Sequence, residues 1–308
     1  MAQRLINLQT SDYEHPFDKK ALNAMRTLPK FDSVVNFILN WTTIKWHIVE
    51  LCGSAFHVTN KSCPELYKLV EETAKTLEID IIPEVYTKWT YGLNAYTTGY
   101  KKDTILVLYS GAVDLLPDSE LQYIIGHEMG HIKSGHVLYH VMASVIGQAI
   151  QQMGVLANAA IPIQLALGYW NRMSEFTADR AGLLACQDLD AALSAIMKMA
   201  GIPQKYFNTT DPHIFSEQAQ EFLTRYGDTA NTIIRNISIL DDSHPWTVMR
   251  AAELIKWVES GEYDRILHKV PTKTCPICGA IVNNSISKCP RCGYTVSYTH
   301  LRAHETDS

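Results

Sequence analysis

Residues 119–132 read SELQYIIGHEMGHI, and the spacing of their histidines decides how the rest of the chain is read. Leu121, Ile124, Ile125, Met129 and Ile132 recur at helical intervals, and Ser119 with Gln122 three residues on fits a capping box at the start of that helix. At about 100° per residue, His127 and His131 leave the helix from nearly the same side, one turn apart. Two imidazoles so placed can hold one cation. Glu128 is rotated from them by only part of a turn, close enough to act as general base on a water at that cation without ligating it. Gly126 and Gly130, one before each histidine, keep the neighbouring surface low, which predicts close approach of a strand or a substrate backbone.

A metal held by two histidines needs a third ligand. Downstream, SEFTADRAG (174–182) offers Glu175 on a predicted helix with Asp179 one turn later, placed to accept the free imidazole N–H of a ligating histidine. The plainer reading of the same stretch is a surface salt-bridge pattern with Arg172 and Arg180. His136 and His140 form another pair four apart. On the same helix they point about 180° away from His127 and His131, with no carboxylate between them, which predicts a structural role, a second metal site being the lesser alternative.

Working outward, Pro64–Leu77 has helical periodicity, while PEVYTKW (83–89) and TILVLYS (104–110) are rich in β-branched and aromatic residues and read as strands, with GLNAYTTG between them. WHIVEL (46–51) and SAFHVT (54–59) read as short strands around Gly53. Helices are expected near 172–187, 190–200, 214–226 and 246–259. The fold class is therefore α+β and helix-dominated, with a small sheet beside the histidine helix. Residues 134–171 contain no Asp, Glu, Lys or Arg, a length that would suffice to cross a bilayer. Gln148, Gln151, Gln152, Asn158 and Gln164 would each need a partner in hydrocarbon, and Pro162 interrupts the second half, so a buried or interfacial helical hairpin is expected instead.

At the other end, CPICGAIVNNSISKCPRCGY (275–294) sets two C-x2-C knuckles ten residues apart. Cys275, Cys278, Cys289 and Cys292 at this spacing predict a four-thiolate structural zinc site, a zinc ribbon whose folding energy comes from the metal. Lys273, Lys288 and Arg291 make it basic, but three charges are a weak footprint for nucleic acid, and a protein-docking or substrate-delivery module reads at least as well. The predicted organisation is a main domain carrying the histidine motif over 1–262, a linker over 263–272, the ribbon over 273–297, and a disordered or artefactual tail over 298–308.

The 308 residues include 46% hydrophobic and 19% charged, enough for one large core or two modest ones, and a formal charge of −5 gives no broad basic field for nucleic acid or acidic lipid. The N-terminus shows no apolar run behind a basic start, and seven cysteines with four in knuckles read as a metal site plus free thiols. Both observations predict a reducing, cytoplasmic setting, with membrane association a secondary expectation.

Taken together, GHEMGH, the Glu175–Asp179 pair and HPWTVMR (244–250) resemble the HtpX-like gluzincin metallopeptidases, relatives of the CAAX prenyl endopeptidase, over roughly residues 80–260. The resemblance implies zinc ligation by His127, His131 and Glu175, with Glu128 as the base and Asp179 as the group orienting a ligand. It implies that Asn94 and Ala95 belong to a strand edging the substrate cleft. It also places His244 and Arg250 by the zinc, where Arg250 would stabilise an oxyanion or organise the cleft, and His244 would do the same or cap the open coordination position. An ordinary helix start at SHPW reads the same residues without chemistry. Two zinc ions are implied, one catalytic and one structural, with polypeptide as substrate. The rivals are a non-catalytic zinc-stabilised protein acting through its ribbon, and a zinc hydrolase of small amides or esters. Membrane-embedded members carry spanning helices before the histidine motif; none is seen here, so membrane integration is not expected.

Overall fold

The computed structural model describes residues 2–39, 43–100, 103–236, 246–270, 272–283 and 286–295. The N-terminal segment folds as helices α1 (Thr10–Tyr13), α2 (Pro16–Arg26), α3 (Phe31–Leu39) and α4 (Thr43–Ser54). Pro16 suits the first position of α2 because its missing N–H is not needed there, and His15 caps the helix by accepting the Phe17 N–H at 3.2 Å. WHIVEL lies inside α4 and is not a strand. Ile48, Leu51, Cys52 and Ala55 also fit helical spacing, and the face they make packs on the sheet, so tertiary burial overrides the β-branched composition.

The sheet comprises β1 (Phe56–Val58), β2 (Glu84–Lys88), β3 (Ala95–Tyr100) and β4 (Asp103–Tyr109), with α5 (Pro64–Thr76) between β1 and β2. Its order is β1-β2-β4-β3, with β2 parallel to β4 and the outer pairs antiparallel. The central strand β4 is apolar along both faces. Leu106 and Leu108 enter the main core, whereas Ile105 and Val107 meet Leu51 of α4. GLNAYTTG supplies β3, an outer strand in register with β4 through Tyr96 opposite Val107.

Helices then dominate: α6 (Ser110–Leu115), α7 (Asp118–Lys133), α8 (Val137–Ala149), α9 (Ala157–Cys186), α10 (Leu189–Met199), α11 (Pro212–Asn236), α12 (Thr247–Glu259) and α13 (Glu262–Leu267). The expected capping box at Ser119 does not form. Pro117 occupies the cap position of α7 without a side-chain hydrogen bond, and Asp118 and Glu120 place negative charge in the first turn against the helix dipole. Residues 134–171 form the expected hairpin from α8 and the first half of α9. Met142, Ile146, Ile163, Leu167 and Trp170 pack there against Met25, Val34 and Ile38 of the N-terminal helices. Among the described residues no helix is long and apolar enough to cross a membrane.

Tyr263 and Ile266 of α13 are buried in the main core, so core packing runs past the boundary expected at residue 262. Beyond it, β5 (Thr272–Thr274) and β6 (Ile281–Asn283) form a separate two-stranded sheet carrying the cysteine knuckles.

Candidate metal centre

Helices α7 and α9 cross at small residues. A Cβ built on Gly126 would lie 2.2 Å from Ala185 Cβ, and one on Gly130 would lie 2.5 Å from Ala181 Cβ and 3.3 Å from Ala178 Cα. The glycines before the histidines therefore admit α9, not the strand or substrate backbone expected. This close contact brings His127 and His131 of α7 against Glu175 and Asp179 of α9.

Three donors converge at the crossing. His127 Nε2 and His131 Nε2 are 3.2 Å apart, and the Glu175 carboxylate lies 3.4 Å from each. A tetrahedron with metal–nitrogen bonds of about 2.0 Å has edges of about 3.3 Å, so the spacing fits a zinc ion with one position left over. A carboxylate buried at that point needs a compensating charge, which a cation shared by the three donors supplies, or, without one, a proton on His127. Glu175 is 2% exposed and Asp179 1%, which excludes the surface salt-bridge reading. Glu128 is buried on the same turn as His127.

Asp179 organises the far side of His127. Its Oδ1 lies 2.9 Å from His127 Nδ1, accepts the Tyr123 hydroxyl at 2.7 Å, and takes Arg250 Nη2–H at 2.6 Å, while Oδ2 takes Arg250 Nε–H at 2.9 Å. Burial alone would raise this carboxyl, but the Arg250 guanidinium outweighs it and holds Asp179 well below the usual range. Burial likewise opposes charge on His127, yet hydrogen bonds to Asp179 and Glu175 prevail and push its pKa up to about 9. Arg250 thus sits behind His127, clamped onto Asp179. His244 lies outside the described residues. Arg180 is taken up elsewhere, donating to the carbonyls of Tyr13 and Glu14 and lying over the Trp257 ring.

His136 and His140 do not point away from the site. Gly135 adopts φ +71°, ends α7 and returns the chain, so that His136 Nδ1 comes 3.0 Å from His131 Nδ1 and the His140 ring lies 4.5 Å from the His131 ring. His131, His136 and His140 accordingly form a second convergent group. Their hydrogen bonds explain it without an ion. His140 Nε2 pairs with Ser174 Oγ at 3.0 Å, and His136 Nε2 lies 3.1 Å from Asp18 Oδ2 of α2. Tyr123 and Asp18 escaped the sequence reading, and His136 entered it only as one of a structural pair. Of these only Tyr123, one turn before His127 on the same helix face, carried a local signal.

Asn94 and Ala95 open the outer strand β3, where the Asn94 carbonyl accepts the Tyr109 N–H at 3.0 Å. In the cysteine module, Cys275 Sγ lies 3.6 Å from Cys292 Sγ, as does Cys278 Sγ from Cys289 Sγ, close to the edge of about 3.8 Å for tetrahedral thiolates around zinc. The two knuckles repeat one geometry. Cys275 N–H bonds Ala280 O and Gly279 N–H bonds Cys275 O, and Cys289 and Gly293 do the same with Tyr294 and Cys289. Gly279 at φ +69° and Gly293 at φ +75° supply the left-handed residue each knuckle needs.

The family model for peptidase family M48 matches residues 60–258. The chain belongs to that family. As an M48 peptidase it is a zinc metalloprotease, a hydrolase whose substrates are polypeptides. Among its relatives, the plastoglobule-localized metallopeptidase 48, chloroplastic, of Arabidopsis thaliana is 29% identical over 272 residues, covering 87% of this chain and 78% of the relative. A protease HtpX homolog of Ralstonia pickettii (strain 12J) is 26% identical over 260 residues, covering 74% of this chain and 85% of the relative. No solved structure matches the chain significantly.

Proposed function

We propose that this M48 peptidase is an endopeptidase cutting unfolded or extended polypeptide, with His127, His131 and Glu175 as ligands of a catalytic zinc and Glu128 as general base. The observation that carries the reading is the convergence of three buried donors, with the buried Glu128 on the same helix turn as His127. Zinc bound there supplies a Lewis acid that polarises the scissile carbonyl and makes water acidic enough to give up a proton near neutral pH. Glu128 takes that proton and returns it to the leaving amine. Asp179 fixes the His127 ring by accepting its Nδ1–H, and Arg250 and Tyr123 hold Asp179 in place.

The outer strand β3, beginning at Asn94 and Ala95, supports backbone pairing with an extended substrate, which favours unfolded chains over compact small molecules. A second, structural zinc in the ribbon is supported by the four sulfurs, and the ribbon serves to dock a protein partner. The non-catalytic alternative is not favoured by the family match. Seven unpaired cysteines favour a reducing, cytoplasmic compartment. The turn of the 134–171 hairpin exposes Val155 at 89%, and Ile161 and Leu165 are exposed on the helix that follows, which supports peripheral contact with a membrane.

The test is cleavage of a casein-like unfolded protein by the wild type and by Glu128→Gln at equal zinc content. Activity confined to the wild type supports the reading; equal activity in both removes Glu128 from the mechanism.

A further inference from the structure

His131 is oriented differently from His127. Among the described residues no carboxylate lies against its Nδ1; that nitrogen faces His136 Nδ1 at 3.0 Å, and His136 Nε2 faces Asp18 Oδ2 at 3.1 Å. The direction of each hydrogen bond follows from the end of the chain. Asp18 is buried, 1% exposed, and also receives Trp170 Nε1–H on Oδ1 at 2.8 Å and the Thr177 hydroxyl on Oδ2 at 2.6 Å. With three donor groups converging on it, this carboxylate acts only as an acceptor. As a neutral ring, His136 then donates from Nε2 to Asp18 and keeps Nδ1 as an acceptor. His131 in turn must carry its proton on Nδ1, which leaves a lone pair on Nε2, the atom facing His127 Nε2 and Glu175.

We propose that Asp18 is a positioning residue for the metal centre, fixing the tautomer and ring of His131 through His136. The inference rests on the ligand assignment made above. Its structural consequence is that α2, which precedes residues 60–258, completes the peptidase site: the two imidazoles are each set by a buried aspartate, one directly and one through an intervening ring.

Asp18→Asn keeps the shape and reverses the chain of hydrogen bonds. Trp170 Nε1–H demands an acceptor, so the amide oxygen stays on that side and the amide N–H groups face His136. His136 Nε2 must then accept, its Nδ1 donates, and the His131 proton is driven onto Nε2, where it opposes the metal. The experiment uses the full chain as wild type, Asp18→Asn, Trp170→Phe and Glu175→Ala. Zinc affinity is measured by chelator competition, and histidine tautomers by nitrogen-15 NMR with the site stripped of zinc.

Glu175→Ala identifies the relevant zinc equivalent; if that variant loses none, the ligand assignment fails and takes the inference with it. If the equivalent is identified, the expected result is an affinity about 10–100-fold weaker in Asp18→Asn. Trp170→Phe, which removes the bond to Oδ1 but leaves Oδ2 for His136, should weaken the affinity less than Asp18→Asn does. In the wild type His131 should be protonated on Nδ1 and His136 on Nε2, a readout that stands even if Asp18→Asn fails to fold. Wild-type affinity in a folded Asp18→Asn, or a wild-type His131 protonated on Nε2, overturns the inference.

Discussion

Substituting Gly130 by alanine tests whether the contact between α7 and α9 sets the metal geometry. The new Cβ lies 2.5 Å from Ala181 Cβ. Ordinary carbon contacts lie at about 3.5–4.0 Å, so the helices must part or slide by about 1 Å at this level. Alanine gains about 1 kcal/mol of helix propensity over glycine, while overpacking costs about 1–3 kcal/mol, so the net loss of stability is at most about 2 kcal/mol and the variant should fold. The functional loss is larger. His131 follows Gly130 directly and Glu175 lies one turn from Ala178, so the displacement falls on two of the three donors. A misplacement of about 1 Å costs on the order of 100-fold in rate. The assay is cleavage of an unfolded protein together with zinc affinity and thermal melting. Gly130→Ala combined with Ala181→Gly removes the struck Cβ and should restore most of both activities. Wild-type zinc affinity and cleavage in the single variant, or no recovery in the double, would refute the argument. Gly168→Ala, on α9 with nothing within 4 Å of the added carbon, is the control and should stabilise the protein by about 1 kcal/mol.

Asp179→Ala leaves the Arg250 guanidinium buried without its carboxylate and should destabilise the fold by about 3–5 kcal/mol in chemical denaturation, with zinc affinity lowered as well. Lys198→Met should cost a similar amount, since it strands the Glu120 carboxylate that Lys198 meets at 2.6 and 2.7 Å; an unchanged midpoint would mean that water reaches Glu120. Glu253 lies against His15 and Lys256, and although burial opposes its charge, these partners bring its pKa down to about 2. A depressed folded-state value contributes stability fully above the unfolded value of about 4.5 and loses it as pH falls towards 2. The stability gap between wild type and Glu253→Gln should therefore shrink over that window by at most about 3 kcal/mol, and a pH-independent gap would count against the pairing. Cys289→Ser should lose the ribbon's zinc while casein cleavage persists, because the ribbon sheet is separate from the four-stranded one.

The parts of the site visible in sequence are those written at helical spacing. His127 and His131 on one helix, and Glu175 and Asp179 on another, each form an i, i+4 pair whose facing is fixed by local geometry. The cysteine knuckles are equally local. What escaped depends on distant partners or on one backbone angle. The glycines of GHEMGH were read as making room for a substrate because their real neighbour, α9, lies about fifty residues away. His136 and His140 were placed on the wrong side because continuation of α7 was assumed, and Gly135 turns the chain back at that point. Asp18 gave no signal at all: its partners His136, Trp170 and Thr177 lie more than a hundred residues on. WHIVEL misled through composition, since its burial pattern is helical only once the sheet beneath it is known.

The Arg250 clamp on Asp179 has a consequence for the birth of the enzyme. His127, His131 and Glu175 are all synthesised before the guanidinium that holds the Asp179–His127 pair in place. A chain still on the ribosome, or one released prematurely before residue 250, carries every proposed ligand yet lacks the charge that steadies them. A chain ending before residue 250 should therefore bind the metal more weakly than the full chain, so that proteolytic competence is expected only once nearly all of the peptidase region has been made.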